Sequence, residues 1–314
     1  MTRALPTFAY LVGAWLSVSC SKPQQVEKSA QPPLILICEQ ASNRILLMDS
    51  KKDWAKEDAV VWSWSPAEDP SLEAAERKWF TNLDEAKPVR GGSQIVVTAS
   101  SGGGAALIDF NSAQAIAKIW IGGSPHSAEL LPDGRVIVGS SNGNSLSLWD
   151  TEENEIVQTL ELSDAHGTEW DPTRNCLWAL GGKQLLRCDY DPKSETPLSI
   201  TKTINLPVTE ASKLHPRHGG HDLTRIPGED AYFVSDMDHL WRFDCSNQTF
   251  TPLPERHEMP MVKSISQLPS TGTIIVLQAT TKWWATGPRT LDESTIWELP
   301  NSRIYKARWW LPET

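Results

Sequence analysis

The chain has 314 residues, a formal net charge of −10 and 39% hydrophobic residues, enough for one large domain or two small ones. That acidity, with no run rich in Lys and Arg, argues against a nucleic-acid-binding protein. Fifteen Trp beside 4 Tyr and 6 Phe, with 19 Gly and 22 Pro, indicate many turns and many aromatic strand residues, hence an all-β protein.

The N-terminus reads separately from the rest. Arg3 gives a short positive start, Phe8 to Val18 is an apolar run, and Ser17-Val18-Ser19 leads into Cys20. The apolar run is too short to span a bilayer, so residues 1–20 read as an export signal. Its end resembles a bacterial lipoprotein signal, in which Cys20 becomes the lipidated first residue, although Leu16 lies one place earlier than that pattern prefers. Ordinary cleavage near Ser19 is the other reading. Residues 21–33 (SKPQQVEKSAQPP) are polar and rich in Pro and Gln, as expected of a flexible tether. The protein is therefore expected to be exported. It would be held at the cell envelope through a lipid on Cys20, or otherwise be periplasmic or extracellular.

From residue 34 onward the chain reads as strands. Leu34–Ile37, Arg44–Met48 and Ala59–Trp64 form a set of three. Glu85–Arg90, Gln94–Val97, Ala105–Phe110 and Ala115–Ile121 form a set of four. A repeat then becomes visible. Its segments are His126-Ser-Ala-Glu-Leu-Leu-Pro132, His166-Gly-Thr-Glu-Trp-Asp-Pro172, His221-Asp-Leu-Thr-Arg-Ile-Pro227, Lys263-Ser-Ile-Ser-Gln-Leu-Pro269 and Lys306-Ala-Arg-Trp-Trp-Leu-Pro312. Each has a basic or imidazole residue six places before a proline, and in the first four an apolar strand begins ten places after it. A proline turn between two extended runs marks a hairpin.

Third and fourth strands complete each unit. They are Ser145–Trp149 and Ile156–Leu160, then Gln184–Cys188 and Ile200–Ile204, then His239–Phe243 and Thr249–Leu253. The unit at Lys263 is expected to use Lys282–Ala285 and Thr295–Leu299. Lys306 opens a first strand with nothing after it, and Leu34–Trp64 lacks a first strand. Joining the two gives a six-bladed β-propeller with four-stranded blades, closed by the C-terminal strand, which removes exposed sheet edges. Trp149, Trp178, Trp241 and Trp297 are expected to pack between blades. In Trp283-Trp284 and Trp309-Trp310, alternation lets one of each pair face outward.

Four cysteines remain besides Cys20: Cys38, Cys176, Cys188 and Cys245. Cys176 and Cys188 face each other only if Gly181 to Lys183 forms a three-residue turn. Buried free thiols are the expectation, with that one disulfide as the alternative. No Cys-rich zinc spacing occurs.

First strands line a propeller's axis, so the marked residues converge at one mouth. They are His126, His166, His221, Lys263 and Lys306, with Lys87 the candidate for the sixth blade. Arg308 stands two places beyond Lys306. A ring of histidines and lysines in an acidic protein invites an anionic ligand. The histidines allow three readings: ligands for a divalent metal (zinc, manganese or calcium), acid and base, or structural hydrogen bonding between blades. His218 and Asp222 flank His221 as further ligands or orienters. Gly219 and Gly220 give a ligand close access to backbone or merely shape the turn. Glu129 and Glu169 share one repeat position and are expected to bond a neighbouring blade.

HGTEWDPTRNCLWALG, GGHDL, VKSI and YKARWW resemble an uncharacterised family of exported bacterial β-propellers, over most of the chain beyond the signal. The histidine-lined mouth is similar, more distantly, to that of propeller polysaccharide lyases acting on uronates. That resemblance implies a protein that binds or cleaves an acidic polysaccharide. In a lyase, Lys263, Lys306 and Lys87, or a metal, would neutralise the uronate carboxylate, and His166 or His221 would remove the adjacent proton. A glycoside hydrolase would need two facing carboxylates, for which Glu129, Glu169 and Asp222 are the candidates. The alternative is a non-catalytic propeller that scaffolds a protein partner. No nucleotide-binding glycine loop, nucleophile elbow or HExxH motif occurs.

Overall fold

In a computed structural model the chain is described at residues 1–2, 32–210, 213, 219–254 and 256–312. The expected export signal, Cys20, most of the expected tether (through Gln31) and His218 lie outside the described residues. Among those described, no helix is long and apolar enough to cross a membrane.

Six antiparallel sheets follow one another along the chain. The first blade holds β1 (Leu34–Glu39), β2 (Arg44–Asp49) and β3 (Val60–Trp64). The second holds β4 (Leu83–Val89), β5 (Gln94–Ala99), β6 (Gly104–Asp109) and β7 (Gln114–Trp120). The third holds β8 (Pro125–Leu130), β9 (Val136–Ser140), β10 (Ser145–Asp150) and β11 (Glu155–Glu161). The fourth holds β12 (Gly167–Asp171), β13 (Cys176–Leu180), β14 (Gln184–Tyr190) and β15 (Leu198–Asn205). The fifth holds β16 (Asp222–Arg225), β17 (Ala231–Ser235), β18 (Leu240–Asp244) and β19 (Thr249–Pro252). The sixth holds β20 (Val262–Gln267), β21 (Ile274–Gln278) and β22 (Arg289–Thr290).

The last strand, β23 (Ile304–Trp309), returns to the first blade. It pairs with β1 through Ile35↔Trp309, Leu36↔Arg308 and Ile37↔Ala307. The protein is a six-bladed β-propeller closed by its C-terminal strand, as the unpaired strands at the two ends of the repeat require.

The sixth blade departs from the expected strands. Its third strand is Arg289–Thr290, opposite Ile275 and Val276, and not Lys282–Ala285. Lys282 takes a positive φ of 56°, so the chain reverses in a Thr281↔Trp284 turn where an extended strand was expected. The outermost segment still runs beside the third: Thr290 donates to Thr295 O, Trp297 to Pro288 O and Leu299 to Thr286 O. One ladder bridge, Arg289↔Ile296, joins them.

The core is not a single mass but six apolar clusters, one between each pair of adjacent blades. This is why the strands read as continuous apolar runs: inner strands are covered on both faces. Trp149, Trp178, Trp241 and Trp297 all lie in these clusters. Each large side chain so buried contributes about 1.5–3 kcal/mol, which makes the interfaces the chief source of stability. Cys38, Cys176, Cys188 and Cys245 are buried free thiols. Cys176 stands opposite Asp189 and Cys188 opposite Leu177, so the two thiols enter different clusters.

Candidate functional site

Each first strand begins at the same face of the ring. In β4, β8 and β20 the register slips at the residue that opens the repeat, between Leu83 and Glu85, Pro125 and Ser127, and Val262 and Ser264. β23 slips in the same way between Ile304 and Ala307. A bulge of this kind bends the strand and re-aims one side chain, here at the start of each inner strand. The bulged residues are Asp84, His126, Lys263 and Lys306. His166 and His221 stand at the same place just before β12 and β16, their amides donating to Leu180 O (2.9 Å) and Ser235 O (2.8 Å).

The sixth position is therefore Asp84 and not Lys87. The signal was present in the sequence, since ten residues back from the second strand at Gln94 is Asp84. Lys87 stands three places later, at the repeat position of Glu129 and Glu169. Its ammonium bonds both, at 2.9 and 3.0 Å, and also Thr168 O. These two carboxylates raise the Lys87 pKa despite a burial that opposes them. Glu129 and Glu169 thus tie blades together, as expected of them, and do not face each other across a sugar site.

A second group of charges fills the axis beside the ring. Lys306 reaches Glu85 at 2.9 Å and Asp222 at 3.3 Å. Arg308 binds Glu85 at 3.0 and 3.1 Å and Asp222 at 3.1 and 2.6 Å. All four residues are buried. Burial alone would raise both carboxyls, but Arg308 and Lys306 outweigh it, lowering Asp222 and holding Glu85 at about 2. Asp222 is therefore a partner of these cations, not an orienter of His221. Gly220 packs against the preceding blade: a side chain there would meet Leu180 at 2.5 Å. Lys87, Lys306 and Arg308, read from the sequence as ligand-binding, are each engaged by carboxylates of the protein.

At the mouth the structure brings the three histidines together with Asp84 and Lys263. Asp84 Oδ2 lies 2.8 Å from His126 Nδ1, and the Tyr305 hydroxyl lies 3.1 Å from the same nitrogen. The rings of His126 and His166 stack at 4.4 Å, and His166 meets His221 edge-on at 5.2 Å. His221 Nε2 lies 3.0 Å from Lys263 Nζ and 2.9 Å from Met237 Sδ. The buried His221 Nδ1 has no hydrogen-bond partner among the described residues.

Burial, then the neighbouring His126 and Lys263, pushes His166 well below the ordinary histidine pKa. Burial, then Lys263 and His166, does the same to His221. Burial also lowers Lys263, to about 8, helped by Lys306 and opposed by Asp84. Lys263 forms no ion pair among the described residues.

These imidazoles do not fit a divalent metal. Ligands must aim their lone pairs at one point, yet His126 and His166 stack face to face. His221 Nε2 faces an amine at 3.0 Å, where a metal ion would meet a cation. Among the described residues no group of three or more His, Cys, Asp or Glu is arranged to hold a metal ion.

Comparison with known proteins follows the fold. A protein of unknown function from Bacteroides caccae is similar at 11% identity with a TM-score of 0.57, over 88% of this chain and 98% of that one. A functionally unknown protein from Desulfotomaculum acetoxidans is similar at 13% identity with a TM-score of 0.55, over 87% and 79%. Dihydro-heme d1 dehydrogenase NirN, solved in complex with DHE, matches at 13% identity with a TM-score of 0.49 over 84% of this chain, which spans only 53% of its length. No curated protein matches. At these identities the likeness shows the propeller and nothing of its chemistry. Across residues 3–314 the sequence matches the family described as "Family of unknown function (DUF6528)", and the chain belongs to that family.

Proposed function

We propose that the mouth binds the acidic group of a carbohydrate, with Lys263 and His221 receiving the anion and His166 beside them. One observation carries this reading. Lys263 is a ring cation only 4% exposed, and among the described residues it forms no salt bridge, Asp84 and Asp164 acting on it only from a distance. A buried ammonium whose close partner is a neutral imidazole and not a carboxylate is costly, and an incoming anion lowers that cost. The neighbouring Lys306 already has Glu85 and Asp222. The signal and tether expected from residues 1–33 agree with an exported, envelope-anchored location, where acidic polysaccharides are met.

A second reading, cleavage by elimination, is favoured by the juxtaposition of an amine near pKa 8 with two neutral imidazoles. In it Lys263 neutralises the uronate carboxylate. His221 or His166 takes the proton next to that carboxylate, the C–H electrons form the new C=C bond, and the glycosidic oxygen leaves and is protonated.

The test is calorimetric titration of the full chain with an oligogalacturonate and an oligoglucuronate at pH 7 and pH 9.5, for wild type and Lys263→Gln. Loss of a charge-assisted hydrogen bond predicts binding weakened about 10- to 100-fold by the substitution. Binding should also weaken as pH rises through about 8, where Lys263 loses its proton. Unchanged affinity in Lys263→Gln refutes the reading. Unsaturated product, followed by its ultraviolet absorbance, separates a lyase from a binder.

A further inference from the structure

The sixth blade breaks its strand pattern at one place, and that place reaches the mouth. Successive strands are antiparallel, so turns between second and third strands lie on the face where first strands begin. Two such turns meet here. One follows β1 and carries Gln40; the other follows β21 and carries Trp283. The Trp283 indole N–H donates to Gln40 Oε1 at 3.1 Å. The buried Gln40 amide in turn donates to Asp84 Oδ1 and to Leu83 O. Asp84 is the ring residue beside His126. An unbroken chain of contacts thus fixes one indole relative to the ring.

Trp283 is nevertheless 42% exposed, unlike the buried Trp297 and Trp309 of the neighbouring interface. The turn that presents it holds Lys282 at a positive φ of 56°. The Lys282 ammonium lies 5.7 Å from the indole centroid, which adds a cation to the platform. Trp120 is also exposed, but its N–H bonds Gly102 O within its own blade.

We infer that Trp283 is a sugar-stacking platform beside the ring and that Lys282 supplements the attraction for acid groups. The inference rests on the anion-binding reading above and adds that the ligand must present a sugar ring as well as a charge. An apolar pyranose face lies on the indole while the acidic group reaches Lys263. The N–H bond to Gln40 holds the indole in place before the ligand arrives, which lowers the cost of binding.

The experiment compares full-length wild type, Trp283→Ala, Trp283→Phe and Lys263→Gln. Two probes are titrated: an oligogalacturonate, and acetate as an acid without a ring. Trp283→Ala is expected to weaken the oligosaccharide about 10-fold. It should leave acetate affinity unchanged, and Trp283→Phe should recover most of the loss. Lys263→Gln should weaken both probes. Undiminished oligosaccharide affinity in Trp283→Ala, with Lys263→Gln still impaired, overturns the platform and leaves the anion site standing. Equal loss of both probes in Trp283→Ala overturns it too, since the indole would then act only through Gln40 and Asp84. If Lys263→Gln binds both probes like wild type, the anion site fails and this inference with it.

Discussion

Replacing Arg308 by alanine removes one cation from the buried charge cluster in the propeller's axis. Arg308 lies in the propeller's axis and forks between Glu85 and Asp222, both wholly buried, with a further bond to Thr224. Removing one side of a buried ion pair costs about 3–5 kcal/mol, because the remaining charges stay buried without their partner. A second route gives a similar size. Holding Glu85 at about 2 against its ordinary 4.5 corresponds to about 3 kcal/mol. Burial opposes that shift, and Arg308, then Lys306, produces it. Lys306 still touches both carboxylates in the variant, so the lower end, about 3 kcal/mol, is expected.

The pH dependence has a definite sign. A depressed carboxyl adds stability above its unfolded value of 4.5 and loses it as pH falls toward about 2. Without Arg308 the carboxyls rise and protonate sooner, which relieves the buried charge. The penalty is therefore largest at neutral pH and shrinks as pH falls through the carboxylate range. Urea unfolding of wild type and Arg308→Ala at pH 7.5 and pH 4.5 measures it, provided the slopes agree. Arg308→Lys keeps the charge but loses the fork, and should fall between them. A loss under about 1 kcal/mol at pH 7.5, or a penalty that grows on acidification, would refute the argument.

Two further outcomes follow from the same structure. His166 and His221 are held neutral by burial and by neighbouring cations, so their contribution to stability is present above about 6.5 and lost as pH falls below it. Melting temperature should drop between pH 7.5 and 5.5, and less steeply in His166→Phe; equal slopes would contradict this. Gly287→Ala would place a methyl 1.7 Å from Trp297 O, a backbone atom that cannot turn aside. That should cost about 1–3 kcal/mol and red-shift tryptophan emission as the outer segment lifts, whereas an unchanged melting temperature would show that the segment adjusts freely.

The blade count, the closure and the three-histidine mouth were legible in the sequence because a repeat places equivalent residues at equivalent points of a closed ring. His126, His166 and His221 needed only their common spacing from proline. Asp84 was legible by the ten-residue spacing but was hidden because its side chain is acidic and its turn carries no proline. What only the tertiary structure decided was pairing. The first strands bring Lys87, Lys306 and Arg308 to the axis, but whether each stays available depends on carboxylates from blades tens of residues away: Glu129 and Glu169 for Lys87, and Glu85 and Asp222 for Lys306 and Arg308. The turn at Lys282 is of the same kind. Locally Lys282–Ala285 reads as a strand, and it becomes the support of an exposed indole because Gln40, from the blade that closes the ring, offers that indole its acceptor. Sequence periodicity reports which face of a strand a residue occupies, whereas charge compensation and turn geometry depend on partners that only ring closure brings within reach.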